Sequence, residues 1–157
     1  MLLTGARRMG PAIGERLVAR GATIVATYRG SRADADQLVA TVTARGGLAL
    51  AVQADVTDAA SVEALVARID DTYGRLDVVI NMASMYDAVA LDDLTEAAWH
   101  RQLDVDLHGT FRVCRAAIPL LRRSGGLGGG ARGRQGQRYR HQETQTGAGT
   151  SHVILAQ

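Results

Sequence analysis

Over residues 1–123, short apolar runs alternate with longer stretches of helical period, and this alternation limits the fold more than any other feature. The runs are MLLT (1–4), ATIVATY (22–28), LALAVQA (48–54) and LDVVINM (76–82). The pattern predicts a helix over 11–20, with Pro11 in its first turn and Gly21 just past its end. A second, over 34–45, carries Leu38, Val39 and Val42 on one face and stops at Gly46-Gly47. The clearest repeats Val62, Leu65, Val66, Ile69 and Tyr73 at helical spacing, with Asp58 as a cap and Gly74 as the stop. A long helical region over 95–123 carries Trp99, Leu103, Leu107, Phe111, Cys114, Ile118 and Leu121, and Pro119 is expected to kink it.

Continuous apolar strands alternating with helices imply an α/β fold, a doubly wound parallel sheet with helices on both faces. The expected strand order is 3-2-1-4, a sheet truncated after the fourth strand and the long helix, which leaves 76–82 as an exposed edge. After Arg123 the periodicity disappears. Nothing between 128 and 149 reads as a core strand, and only VILA (153–156) could pair again. Two segments follow: 1–123, a nucleotide-binding domain, and 124–157, a tail rich in glycine and arginine.

Composition separates these segments too. Residues 1–123 hold 14 arginines against 15 acids, whereas 124–157 hold 4 arginines against Glu143 alone and half of the 18 glycines. All 18 basic residues are arginine, so the chain contains no lysine. No apolar run approaches the roughly 18 residues of a membrane span, and no basic-then-apolar leader is visible, so a cytoplasmic location is expected. The single cysteine, Cys114, reads as a small buried thiol rather than a nucleophile, and no metal-ligand cluster stands out.

Three groups of residues carry chemistry. TGARRMG (4–10) joins the first strand to the first helix, where a glycine turn lets backbone N–H groups approach a pyrophosphate at the positive helix end. At the end of the second strand, an acid would suit the ribose 2′-hydroxyl of NAD, and arginine suits the 2′-phosphate of NADP. The chain has Tyr28-Arg29 there, with Arg32 following and Arg7-Arg8 in the adjacent turn, which favours NADP(H) over NAD(H). Each arginine taken singly also fits a solvated loop. Asp55-Val56 and Asn81-Met82-Ala83-Ser84 close the third and fourth strands, where ligands of open α/β sheets bind. Asn81 also fits a turn cap, and Asp55 a cap of the following helix.

TGARRMG, ADVTD (54–58), LDVVINMAS (76–84) and DVDLHGTF (104–111), in this order, resemble the short-chain dehydrogenase/reductase family over about residues 1–123. The arginine-bearing turn and NMAS in place of Asn-Asn-Ala-Gly are similar to its NADPH-preferring, pteridine-reductase-like branch. The resemblance implies a Rossmann-type sheet and hydride transfer between NAD(P)(H) and a small carbonyl or alcohol substrate. It implies that Thr4, Gly5 and Gly10 shape the phosphate turn and that Arg8 and Arg29, with Arg7 nearby, hold the 2′-phosphate. Tyr28 ends the strand beside it, Asp55 and Val56 border the adenine, and Asn81 and Ala83 support the ribose. It also implies pairing of copies through the 95–123 region.

The chain departs from the family in four respects. The first strand is short, the glycine turn is one residue shorter than usual, and Asp106 replaces a structural Asn in the long helix. The fourth departure concerns the reaction itself. The family's Ser, Tyr and Lys hold the substrate oxygen, move the proton and lower the Tyr pKa, with Lys four residues after Tyr. Tyr139 is followed at that distance by Glu143. Bringing a tyrosine from about 10 to about 7 needs roughly 4 kcal/mol, and Glu143 acts in the wrong direction, with only Arg138 and Arg140 near to compensate. The catalytic residues are therefore unassigned and the chain is expected to be inactive as written. A non-catalytic dinucleotide-binding module is the alternative.

Three readings of the tail remain open: an RNA-binding Gly/Arg segment, an inert disordered terminus, and a shifted reading frame. Three Arg-Gly or Gly-Arg neighbours around 132–134 and one aromatic make nucleic acid the weakest. The shifted frame fits best, because heavy Ala, Gly and Arg usage suggests a GC-rich gene, whose other frames read as Gly, Arg, Ala and Gln.

Overall fold

A computed structural model describes residues 1–5, 7, 9–85, 88–125 and 152–155. Strands β1 (Leu2–Thr4), β2 (Ile24–Tyr28), β3 (Ala49–Gln53) and β4 (Val78–Asn81) alternate with helices α1 (Gly10–Val18), α2 (Arg32–Ala44) and α3 (Ala59–Tyr73). After β4 come a 3-10 turn (Leu91–Asp93), helix α4 (Glu96–Leu103), a π-helical segment (Asp104–Gly109) and helix α5 (Thr110–Arg123). Strand β5 (His152–Leu155) follows. The sheet is parallel in the order β3-β2-β1-β4-β5.

Apolar runs form these strands because both faces of the sheet are covered. Successive residues point to opposite sides. Leu2, Val25 and Val79 meet α3 and α5 residues such as Leu65, Ile69, Val113 and Leu121 on one side. Leu3, Ile24, Ala26 and Ile80 meet Leu38 and Val42 of α2, with Ile13 and Leu17 of α1, on the other. Asp58 caps α3 by accepting from the Ala60 N–H (3.0 Å), and Gly74 ends it in the left-handed region (φ 64°), both as the sequence predicts.

The structure corrects three expectations. The edge at 76–82 is not bare: β5 lies along β4, with Val79 opposite Val153 and Ile80 opposite Ile154. The apolar residues near the end of the chain supply a fifth strand beyond the expected four. The buried face of the long helical region is also different. Val105, Val113, Ala117, Leu120 and Leu121 are buried, whereas Trp99, Leu107 and Phe111 are exposed. The π-helical segment widens the turn from four residues to five and slips the side-chain register, so a pattern read at constant helical period drifts off the core. Finally, α5 runs through Pro119 as α-helix, and the irregular turn falls at Asp104–Gly109 instead.

No helix among the described residues is long and apolar enough to cross a membrane. Most of the tail, including Tyr139 and Glu143, lies outside the described residues.

Candidate functional site

The carboxyl ends of β1, β2, β3 and β4 lie side by side and converge on one rim of the sheet. Thr4, Thr27 and Asn81, the buried polar residues among those described, all lie at or next to these strand ends. Thr4 ties β1 to the segment after β4: its Oγ1 accepts from the N–H groups of Met82 (3.1 Å) and Ala83 (3.2 Å). Thr27 Oγ1 accepts from the Gly5 N–H (3.2 Å) and so joins β2 to the glycine turn.

Gly5 is required by conformation and by space. Its φ is +77°, and a Cβ there would stand 3.0 Å from Ala83 Cα, Ala83 N and the Met82 carbonyl oxygen. Ala83 is therefore in the site as a wall against the turn. Past Gly5 the chain turns tightly, with the Met9 N–H donating to Arg7 O (2.8 Å), and enters α1 at the buried Gly10. Met9 supplies no side-chain cap, and the first turn holds no acid, so the positive end of α1 is not neutralised by its own side chains.

The basic residues are placed unequally. The Arg7 side chain is 83% exposed and its Nε lies 3.8 Å from Asp34 Oδ2. Arg32 pairs with Asp36 (3.3 Å), which turns it toward α2. Arg8 lies outside the described residues. Arg29 is exposed just beyond β2, its carbonyl accepting from Gln53 Nε2 (3.0 Å), while the Tyr28 carbonyl accepts from Ala54 N–H (2.9 Å). These bonds hold the ends of β2 and β3 level.

Asp55 is neither a helix cap nor free. Its Oδ1 accepts from the Thr57 N–H (2.9 Å) and hydroxyl (2.7 Å), and its own N–H donates to Ser61 Oγ (2.9 Å). Burial pushes the Asp55 carboxyl upward, but the two Thr57 donors and the Arg29 guanidinium outweigh it and hold the group below the ordinary carboxylate value. Val56, next in the chain, is buried against Gly109 of the π-helical segment, where a Cβ would come within 2.7 Å of Val56 Cγ2.

Asn81 donates from Nδ2 to Cys114 Sγ (3.4 Å), and its buried Oδ1 has no partner among the described residues. Burial raises the Cys114 thiol above its ordinary value, with the Asn81 contact acting in the opposite sense. That environment suits a protonated packing residue, not a nucleophile. Among the described residues no three His, Cys, Asp or Glu side chains gather as a metal site.

The structure thus brings Thr4, Gly5, Gly10, Tyr28, Arg29, Asp55, Val56, Asn81 and Ala83 to one rim, with Arg7 beside it but turned to Asp34. Sequence reasoning missed Thr27 and Gln102. Thr27 carried one signal, a hydroxyl at the end of an otherwise apolar strand. The residues fit a dinucleotide: the glycine turn is close-packed, the helix end behind it is uncapped, and a guanidinium marks the next strand end.

Residues 5–129 match the family model described as "Enoyl-(Acyl carrier protein) reductase". An oxidoreductase of Methylorubrum extorquens is 38% identical over 127 residues, 80% of this chain and 51% of its own length. A short-chain dehydrogenase of Burkholderia cenocepacia, solved in complex with NADP, is 37% identical with a TM-score of 0.71, over 76% of this chain and 49% of that one. An NADH-dependent reductase complexed with NAD is 27% identical with the same TM-score of 0.71, over 79% and 52%. The chain spans about half the length of the curated relatives it matches. With the sheet order, the glycine turn and the matched residues in agreement, the chain belongs to the short-chain dehydrogenase/reductase family.

Proposed function

We propose that residues 1–123 form the cofactor-binding part of a reductase that takes NADPH in preference to NADH and acts on a small carbonyl or alcohol compound. One observation carries the cofactor preference: β2 ends in Tyr28-Arg29, with the Arg29 guanidinium close enough to Asp55 to help hold its carboxyl down. An acid at that strand end would repel a 2′-phosphate, and arginine attracts it. NADPH supplies the hydride when bound. Gly5 and the N-terminus of α1 receive the pyrophosphate, and Arg29, with Arg8 and Arg7, receives the 2′-phosphate. Asp55 and Val56 border the adenine, and Asn81 and Ala83 line the ribose. These arginines are the support for the pteridine-reductase-like branch.

The 157 residues contain no lysine, so no Tyr-x-x-x-Lys occurs in them. On this reading the chain as written holds NADPH without turning it over. The family match ends at residue 129, close to where the apolar pattern stops, which supports a tail that is not a continuation of the domain. A cytoplasmic location and pairing of copies through residues 95–123 belong to the same reading.

The test is a fluorescence titration of the full chain with NADPH and with NADH. We expect NADPH to bind at least about tenfold more tightly, the scale of one charge-assisted contact. Arg29→Ala should erase that difference and leave NADH binding as it was. Equal affinities in the parent chain, or a preference untouched by the substitution, refute the reading.

A further inference from the structure

Met85, three residues beyond the Met82 N–H that Thr4 holds, has both halves of its backbone gripped by side chains of one helical region. Its N–H donates to Asp106 Oδ1 (3.0 Å). Its carbonyl accepts from Gln102 Nε2, and the same Nε2 donates to Asp106 Oδ2 (2.5 Å). The three groups close a ring: backbone N–H to carboxylate, carboxylate to amide, amide to backbone carbonyl. Gln102 stands in the last turn of α4, and Asp106 four residues later in the π-helical segment.

The chemistry assigns the donors. A carboxylate only accepts, so Asp106 can hold the Met85 N–H but offers nothing to the Met85 carbonyl. Gln102 faces two acceptors, which fixes its amide with Nε2 toward both. Neither side chain does the work alone. We infer that Gln102 and Asp106 act as one two-residue clamp on the Met85 peptide and are positioning residues for the segment Met82–Met85. That segment carries Ala83, whose backbone forms the wall against Gly5. The clamp fixes the nucleotide rim from behind while touching no ligand itself. Only this last step rests on the proposed cofactor site.

A side-chain amide at position 106 could accept from the Met85 N–H and donate to the Met85 carbonyl by itself. Asp106→Asn alone places an amide N–H group against Gln102 Nε2, donor against donor, and turning Gln102 over sets its oxygen against the Met85 carbonyl. Gln102→Leu alone leaves that carbonyl and one carboxylate oxygen without their donor. The double variant Gln102→Leu with Asp106→Asn removes both conflicts.

The experiment measures hydrogen exchange at the Met85 amide, and NADPH affinity, in the full chain, the two single variants and the double variant. We expect each single variant to exchange about tenfold faster, and the double variant to return to within about threefold of the parent, with NADPH affinity following the same order. A double variant whose exchange is as fast as the two single effects multiplied, or that fails to fold where the singles fold, overturns the clamp. If the parent binds no NADPH but exchange shows the rescue, the clamp stands and the cofactor reading falls. If NADPH binds and exchange is multiplicative, the clamp alone falls.

Discussion

Gly5 and Gly21 share a φ of +77° and differ in what surrounds them, so the pair separates backbone strain from close approach. A Cβ on Gly21 would meet nothing within 4 Å, and one on Gly5 would meet three backbone atoms at 3.0 Å. Alanine in the left-handed region costs about 1–2 kcal/mol at either position. At Gly5 the wall cannot give freely, because Thr4 Oγ1 already holds the Met82 and Ala83 N–H groups. Overpacking against it adds about 1–3 kcal/mol. Gly21→Ala should therefore lose about 1–2 kcal/mol, and Gly5→Ala about 2–5 kcal/mol with the overpacking included. That larger loss is a substantial share of the 5–15 kcal/mol typical of a domain. Urea denaturation of both variants, followed by circular dichroism, measures the difference. Equal destabilisation, within about 0.5 kcal/mol, would show that the turn does not press on Ala83 and would refute the account of the rim.

Two shorter predictions follow from other features. The folded Asp55 carboxyl titrates below its unfolded value, so its contribution to stability is complete above the unfolded value, near pH 4, and is lost as pH falls through the lower folded value. Asp55→Asn should make the acid limb of a urea-denaturation profile shallower, and an unchanged limb would sink the assignment. If copies pair through the exposed stripe of Trp99, Leu107 and Phe111, then Phe111→Arg should weaken self-association by at least about tenfold, measured by light scattering on size exclusion. A parent chain that elutes as a monomer at every concentration, or a variant that associates as before, contradicts it.

The fold was legible where its signals are local. Helix α3 needs only the spacing of Val62, Leu65 and Ile69, the Asp58 side chain and Gly74, all within one stretch of chain. The strands were legible because residues buried on both faces leave no polar interruption until their ends. The outer face of the long helical region was not. A wider turn at Asp104–Gly109 changes the phase of everything beyond it, and no residue type announces such a turn. The site divides in the same way. Gly5, Asn81 and Ala83 sit in recognisable local patterns, whereas Thr27 acquires its role from Gly5, 22 residues away, and Gln102 from Met85, 17 residues away. Such roles exist only once the sheet has paired.

The same contrast explains how a cofactor site can be present in a chain without the residues for transfer. The rim is made mostly of backbone: the Gly5 turn, the uncapped start of α1, and the Ala83 wall held through Thr4. Groups of this kind come with the sheet, since pairing β1 with β4 in register, Thr4 opposite Asn81, is enough to bring them together. Hydride transfer with a matched proton asks for more. It needs one phenol whose pKa is lowered by about 3 units, roughly 4 kcal/mol, by a cation fixed beside it. Arginine is a poor replacement for that cation: its charge is spread over a planar fork rather than held at one ammonium. A chain with 18 arginines and no lysine can be well supplied for phosphate and still lack the one cation that proton transfer in this family uses. Binding and turnover are therefore separable here, and NADPH affinity, not NADPH oxidation, is the property by which this domain should first be judged.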